Sequence, residues 1–241
     1  VTNQQLPPQA DPQHEETGGL ARDLADYNLS TPKQLLLLLL NSLQMWHAAL
    51  VLCVLFIPWA PWAVRMASGI AVLYMLPPIL ARFILIAAPP VEGEIRPDQP
   101  GFMRWWALLN LQMLFNRFQA FEEILRLVPA LYSAWLRLWG GKVGHHIYWS
   151  PGTRILDRSF VRIGNGVVFG AGVRINPHVF HRNKKGAFVL ALATVDIGER
   201  ALIGGYSLLA AGTTIPPGEC TRALLLSPPF THWEEGKRIR Q

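Results

Sequence analysis

The chain has 241 residues, 51% hydrophobic content, a positive mean hydropathy (+0.22) and a net charge of +6. It is long enough for one folded domain plus something else, and its apolar, basic balance points to a membrane protein with a cytoplasmic face. The Lys and Arg residues are scattered and form no stripe, which argues against a nucleic-acid partner, and Cys53 and Cys220 are placed too differently to suggest a disulfide.

In chain order, residues 1–33 read as a mobile cytoplasmic tail, polar and rich in Gln and Pro, with a short helix near Leu20 to Tyr27 and no cleavable signal peptide. Ser30-Thr31-Pro32 is a helix-start signal. From Gln34 to Ile57 no Lys, Arg, Asp or Glu occurs, a run long enough to cross the hydrocarbon core. Pro58-Trp59-Ala60-Pro61-Trp62 breaks it, and a second apolar run follows from Val64 to Ala88, with a kink expected at Pro77-Pro78. Residues 34–88 are therefore expected to form a two-span transmembrane helical hairpin.

Arg82, inside the second run, is expected to snorkel to the headgroups. Asn41, Gln44 and His47 are expected to bond across the hairpin or between protomers. Arg22 and Lys33 precede the first span, Arg96 and Arg104 follow the second, and Arg65 stands at the connection. Positive-inside logic then puts both ends in the cytoplasm, giving a multi-pass protein of the inner (cytoplasmic) membrane.

After a Pro-rich linker over 89–101, residues 102–141 read as helix with a break at Pro129. Trp105, Trp106, Phe115, Phe118, Leu125, Trp135 and Trp139 alternate there with Arg104, Arg117, Arg126 and Arg137. That basic, aromatic pattern suits an interfacial amphipathic helix, with packing under the following domain as the other reading.

From Lys142 the chain becomes periodic. Val161 to Ile215 repeats every six residues, with large apolar residues at Ile163, Phe169, Ile175, Ile197, Ile203, Leu209 and Ile215 and glycine next at Gly164, Gly170, Gly198 and Gly204. An amphipathic helix would need a period near 3.6, and its glycines would cost about 1 kcal/mol each. Hexad periodicity instead specifies a β-solenoid in which each hexad is a short strand and a turn. Two extra residues bulge near Asp157 to Phe160. Part of Arg182 to Thr194 leaves the coil as a loop with its tip at Lys184-Lys185-Gly186, and His181 takes a slot that other hexads fill with an apolar side chain. The solenoid is expected over 142–223, followed by an irregular C-terminal tail over 224–241.

The run ILDRSFVRIGNGVVFGAGVRINPHVFH, then the loop, then IGERALIGGYSLLAAGTTIPPG, resembles the hexapeptide-repeat acyltransferases of the left-handed parallel β-helix superfamily, the xenobiotic and streptogramin acetyltransferases in particular. The likeness covers about Lys142 to Gly218. It implies a left-handed parallel β-helix, a homotrimer with sites between neighbouring solenoids, and acyl-CoA (acetyl-CoA above all) or a phosphopantetheine-linked acyl carrier protein as donor. It also implies a catalytic His at position 181, with Asp157 contacting the acceptor or orienting the imidazole. His178 stands close enough to compete for the role. The closing Gly-x-Pro-Ala of such proteins is replaced here by LLLSPPF.

Chemistry points the same way. Transfer of an acyl group from a thioester to a hydroxyl or amine needs a base, and histidine suits it near neutral pH. Arg182, Lys184 and Lys185 are candidates to meet donor phosphates, with a solvated loop tip as the other reading of the Lys pair, and Gly204 and Gly205 are assigned to the donor side. His145 and His146 read as structural. The expected acceptor is membrane-associated or a small molecule, membrane lipids are the other partner, and no metal is expected. Two other readings remain: a non-enzymatic membrane scaffold, and a zinc-dependent, carbonic-anhydrase-like β-helix with His178 and His181 as ligands.

Overall fold

The computed structural model describes residues 27, 29–183 and 186–239. The helix expected over 20–27 and the loop tip at Lys184 and Lys185 fall essentially outside the described residues.

Two helical stretches open the structure. Helices α1 (Thr31–Asn41) and α2 (Leu43–Leu55) follow one another with Ser42 between them, and α3 (Trp62–Tyr74) and α4 (Leu76–Ala87) with Met75 between them. Pro32 sits in the first turn of α1, and Pro77 and Pro78 begin α4, positions where the missing N–H has no helical partner to lose. The second stretch therefore restarts at its prolines. The two stretches, 25 and 26 residues long, are long and apolar enough to cross a membrane.

Arg82 lies beside Gly140, where an added Cβ would come 3.3 Å from its guanidinium, at the head of the first coil. Gly140 has φ +99°, a conformation that favours glycine where the helical layer turns into the coil. His47 does bond across the helix pair, Nε2 to the Val72 carbonyl at 3.1 Å. Asn41 and Gln44 instead meet the next helix, accepting from Trp106 Nε1 (2.9 Å) and Arg117 Nε (2.8 Å).

Residues 102–141, expected as an interfacial helix broken at Pro129, form three helices, with a second break after Arg117: α5 (Pro100–Arg117), α6 (Ala120–Arg126) and α7 (Leu131–Leu138). Trp105, Phe115, Leu125, Trp135 and Trp139 are buried, so most of the aromatic series faces protein. The aromatic rings that suggested lipid contact build the core between the apolar helices and the solenoid. That core runs without interruption from Ala81 through Phe102 and Trp139 to the coil interior.

From Lys142 the chain winds through three parallel sheets in rotation. The first holds β2 (Lys142–Val143), β5 (Val161–Ile163), β10 (Val195–Ile197), β13 (Thr214–Ile215) and β15 (His232–Glu234); β16 (Lys237–Ile239) adds antiparallel to its end. The second holds β3 (Tyr148–Trp149), β6 (Val168–Phe169) and β11 (Leu202–Ile203). The third holds β4 (Arg154–Ile155), β7 (Arg174–Asn176), β12 (Leu208–Ala210) and β14 (Leu226–Ser227). Register is set by the apolar rows: Val143, Ile163, Ile197 and Ile215 stack on the first sheet, and Ile155, Ile175 and Leu209 on the third. Each fully buried aliphatic side chain in such a row contributes about 1.5–3 kcal/mol.

Two boundaries differ from the sequence reading. Residues 224–241 were expected to be irregular, yet Leu208 pairs with Leu226 and Thr214 with His232, so the coil continues. Its inward positions there carry buried Ser227 and Thr231, and Ser227 bonds to Thr213 (2.9 Å). The excursion after β7 is a hairpin rather than a loop. Strand β8 (His178–Arg182) pairs antiparallel with β9 (Phe188–Leu192), and β1 (Gly93–Ile95), from the segment expected to be a bare linker, pairs antiparallel with β9 on its other side.

Candidate active site

The bulge at Asp157 faces inward, toward the helical layer. Leu156 still donates to Ile175 O (3.1 Å), and the turn closes where Phe160 N meets Asp157 O (3.1 Å). Between these bonds the side chains of Asp157 and Arg158 are fully buried, and they diverge.

Arg158 ties the coil to the helices. Its backbone N–H and guanidinium both donate to Gln112 Oε1 (2.8 and 3.1 Å), and it pairs with Glu122. The guanidinium also lies over the Trp135 ring, 5.3 Å from its centroid. Glu122 further accepts from Arg126 (3.2 Å) and from the Tyr132 hydroxyl (2.5 Å). Burial first, and then the Glu122 charge, push the Tyr132 hydroxyl far above its ordinary range, so it stays a donor. A buried carboxylate shared between two guanidiniums in this way fixes the bulge against α5, α6 and α7.

Asp157 turns the other way. Its Oδ1 accepts from the Trp105 indole N–H (3.0 Å), and its Oδ2 lies 2.5 Å from His178 Nδ1. His178 is the first residue of β8, at the root of the hairpin, with a side chain only 15% exposed. Trp105 meets its ring edge-on at 4.9 Å, and Phe180 lies beyond at 6.2 Å. Burial alone would lower the imidazole pKa. The Asp157 charge and hydrogen bond outweigh it, and the pKa is raised above the ordinary 6.5. With Nδ1 held by Asp157, Nε2 is the nitrogen left for a substrate proton.

The other residues singled out by sequence are spread more widely. His181 lies on the same strand as His178 but outside the coil interior: the strand has left the coil, and the ring, one-third exposed, meets Glu94 Oε1 at 3.1 Å. The six-residue phase at His181 is a coincidence of counting. Arg182 is exposed and donates to Gly186 O (3.1 Å) across the hairpin. Gly204 and Gly205 stand at the corner after β11, away from the hairpin root, which follows β7. An added Cβ on Gly204 would collide with the Arg222 backbone, so it is a close-packing glycine.

A 560 Å³ groove opens over the glycine-rich end of the first sheet and is lined by Lys142, Arg162, Asn165, Asp196 and Glu199 among others. It contains no histidine. Arg162 is held by Asp196 (2.6 Å) and Asn165 by Glu199 (2.9 Å). The groove therefore has no imidazole, unlike the hairpin root. Among the described residues no three His, Cys, Asp or Glu side chains converge as a metal-binding group.

Sequence reasoning missed Trp105 as a partner of Asp157, and with it Gln112 and Glu122. The available signal was the Asp-Arg pair in the bulge, because two charged residues between coil strands need partners once the bulge is covered.

No protein-family profile matches the chain, and no curated protein matches it. Among solved structures it is similar to a hexapeptide-repeat-containing acetyltransferase from Vibrio cholerae, with 15% identity and a TM-score of 0.29, over 52% of this chain and 91% of that one. A likeness at that level identifies neither the fold nor the activity.

Proposed function

We propose that the protein is a membrane-anchored acyltransferase in which His178, held by Asp157, is the general base. The observation that carries this reading is the Asp157–His178 contact of 2.5 Å at the root of the extruded hairpin. His181, the base expected from the six-residue phase, has Glu94 as its carboxylate partner, and Asp157 is engaged elsewhere. Nε2 of His178 takes the proton of an acceptor hydroxyl or amine while the acceptor atom bonds to the thioester carbonyl carbon. The carbonyl electron pair moves to oxygen and returns as the C–S bond breaks. The thiol leaves with the proton from His178. Trp105 acts as a positioning residue, since its N–H fixes the carboxylate that fixes the ring.

In this reading the coil is a left-handed parallel β-helix, the donor is an acyl-CoA or a carrier-protein thioester, and the acceptor is membrane-associated. Both ends of the helix pair face the cytoplasm. The assembly is a homotrimer, so that Gly204 and Gly205 of one copy approach the hairpin of the next. An outward row of Tyr148, Val168 and Leu202 on the second sheet, apolar and exposed, supports contact between copies there.

The test is thiol release from acetyl-CoA with membrane extracts as the acceptor source. His178→Ala should lower turnover by about a hundredfold or more, and His181→Ala by less than about threefold, at matched expression and size. Loss of turnover in His181→Ala with His178→Ala near normal would return the base role to His181.

A further inference from the structure

We propose that the α5–α7 layer does not stand off the membrane but is seated in the near leaflet, with Phe118, Ile124 and the Leu127–Leu131 loop among the acyl chains. This rests on the membrane-anchor reading and goes beyond it, because it adds a second lipid-contacting element and fixes its depth.

The first argument is where the helices are gripped. At about 1.5 Å per residue, helical stretches of 25 and 26 residues would each exceed a hydrocarbon core of about 30 Å. They are not free along that length. Trp106 and Arg117 of α5 hold Asn41 and Gln44, near the middle of the first stretch. Tyr74, in the middle of the second, donates to the Phe121 carbonyl (3.0 Å), and its own carbonyl accepts from Trp135 (2.8 Å). Pro77, Pro78 and Ala81 are buried against the same layer. Beyond the grip only α2 and α3 remain, 13 residues each. That length is about 20 Å, short of the core. If the Trp59 and Trp62 tip reaches the far interface, where its aromatic rings and nearby Arg65 are most at home, the gripping layer must sink about 10 Å below the near edge.

The second argument is what that layer exposes. Phe118 is 56% exposed, Ile124 53%, Leu127 80%, Val128 53% and Leu131 41%, with exposed Pro129 and Ala130 completing the loop. The loop from Leu127 to Leu131 has no polar side chain and every residue in it is exposed. Loops that face water are polar, because each exposed apolar Å² costs about 25 cal/mol. Phe118 meets Phe121 at 6.1 Å, and the Phe121 carbonyl accepts from Tyr74 of α3. Exposed Arg104 on α5 suits the anionic headgroups of the same leaflet. Acyl chains are therefore the occupant that matches both its depth and its chemistry.

The test uses the full chain with Cys53→Ser and Cys220→Ser, reconstituted in phosphatidylcholine–phosphatidylglycerol vesicles. An environment-sensitive fluorophore is attached at Val128→Cys, with Leu50→Cys on α2 and Glu235→Cys on the last turn as references. Leu127→Cys serves if Val128→Cys folds poorly by circular dichroism. Lipids carrying a nitroxide on the acyl chain are the quencher. Quenching at position 128 within about twofold of that at position 50, with a blue-shifted emission, is the expected result. Quenching at 50 but no more at 128 than at 235 would overturn the seat and leave the anchor standing. A blue shift at 128 without lipid quenching would mean that another copy covers the loop, and it would overturn the seat as well. No quenching at position 50 would remove the anchor and the seat together.

Discussion

The coil interior and the seam between coil and helices are built on opposite principles. Inside the coil, Ile163, Ile197 and Ile215 repeat one solution, each apolar residue stacked on another of its kind. In the seam no contact repeats: Asp157 holds both Trp105 and His178, and Arg158 holds both Gln112 and Glu122, each by a different kind of bond. The regular part tolerates small changes because every contact is one of many. The irregular part concentrates its polar groups at low exposure, where each lost partner leaves a buried donor or acceptor behind. The proposed chemistry sits where the repeat is broken.

Changes in the seam should therefore cost more than changes in the coil. The largest effect is expected for Glu122→Ala, which strips Arg158 and Arg126 of a shared buried carboxylate. It should destabilise the protein by about 3–5 kcal/mol, read by thermal unfolding in detergent. A loss under about 1 kcal/mol would show that the seam is no more demanding than the coil.

Asp157→Asn comes next. It should reduce turnover by about tenfold or more through a misoriented imidazole. It should also move the acid limb of kcat/KM. The free base is available only above the His178 pKa, which Asp157 raises; removing that charge leaves burial, which lowers it, so the limb should shift to lower pH. A limb that stays in place would separate His178 from the rate.

Trp105→Phe leaves Asp157 Oδ1 without its donor and should cost about 1–3 kcal/mol, with a several-fold loss in turnover that keeps the pH profile. Ile197→Val, the coil counterpart, should cost about 0.5–1.5 kcal/mol and leave turnover unchanged. If the two substitutions cost the same and both spare turnover, the contrast between the regions collapses.

How much of this was legible follows from the same contrast. Apolar rows announce themselves, so Ile163, Phe169, Ile175 and their counterparts were visible from spacing alone. The last coil was not, because Ser227 and Thr231 fill its inward positions and read as surface. The start of the hairpin was hidden because His178 to Arg182 could continue the coil with equal ease. Only pairing with Phe188–Leu192 takes that strand out, and pairing is not local. Adjacent Trp105 and Trp106 showed an aromatic helix, yet which of them meets a carboxylate depends on the partner that covers it. Asp157 was legible as a candidate; that its histidine partner is His178 required the fold.

Strand β1 has a consequence for anyone wishing to cut the molecule down. It is the outer partner of β9, every residue of which is buried, and Glu92 just before it and Glu94 within it bind Thr194 and His181. A soluble fragment beginning at Phe102 would keep the coil but uncover the side of β9 that β1 pairs with. The edge exposed there is apolar, Leu190–Leu192, with unpaired N–H and C=O groups of the kind that recruit another strand. The segment between the apolar helices and α5 is thus an edge guard, and such a fragment would be prone to self-association through β9.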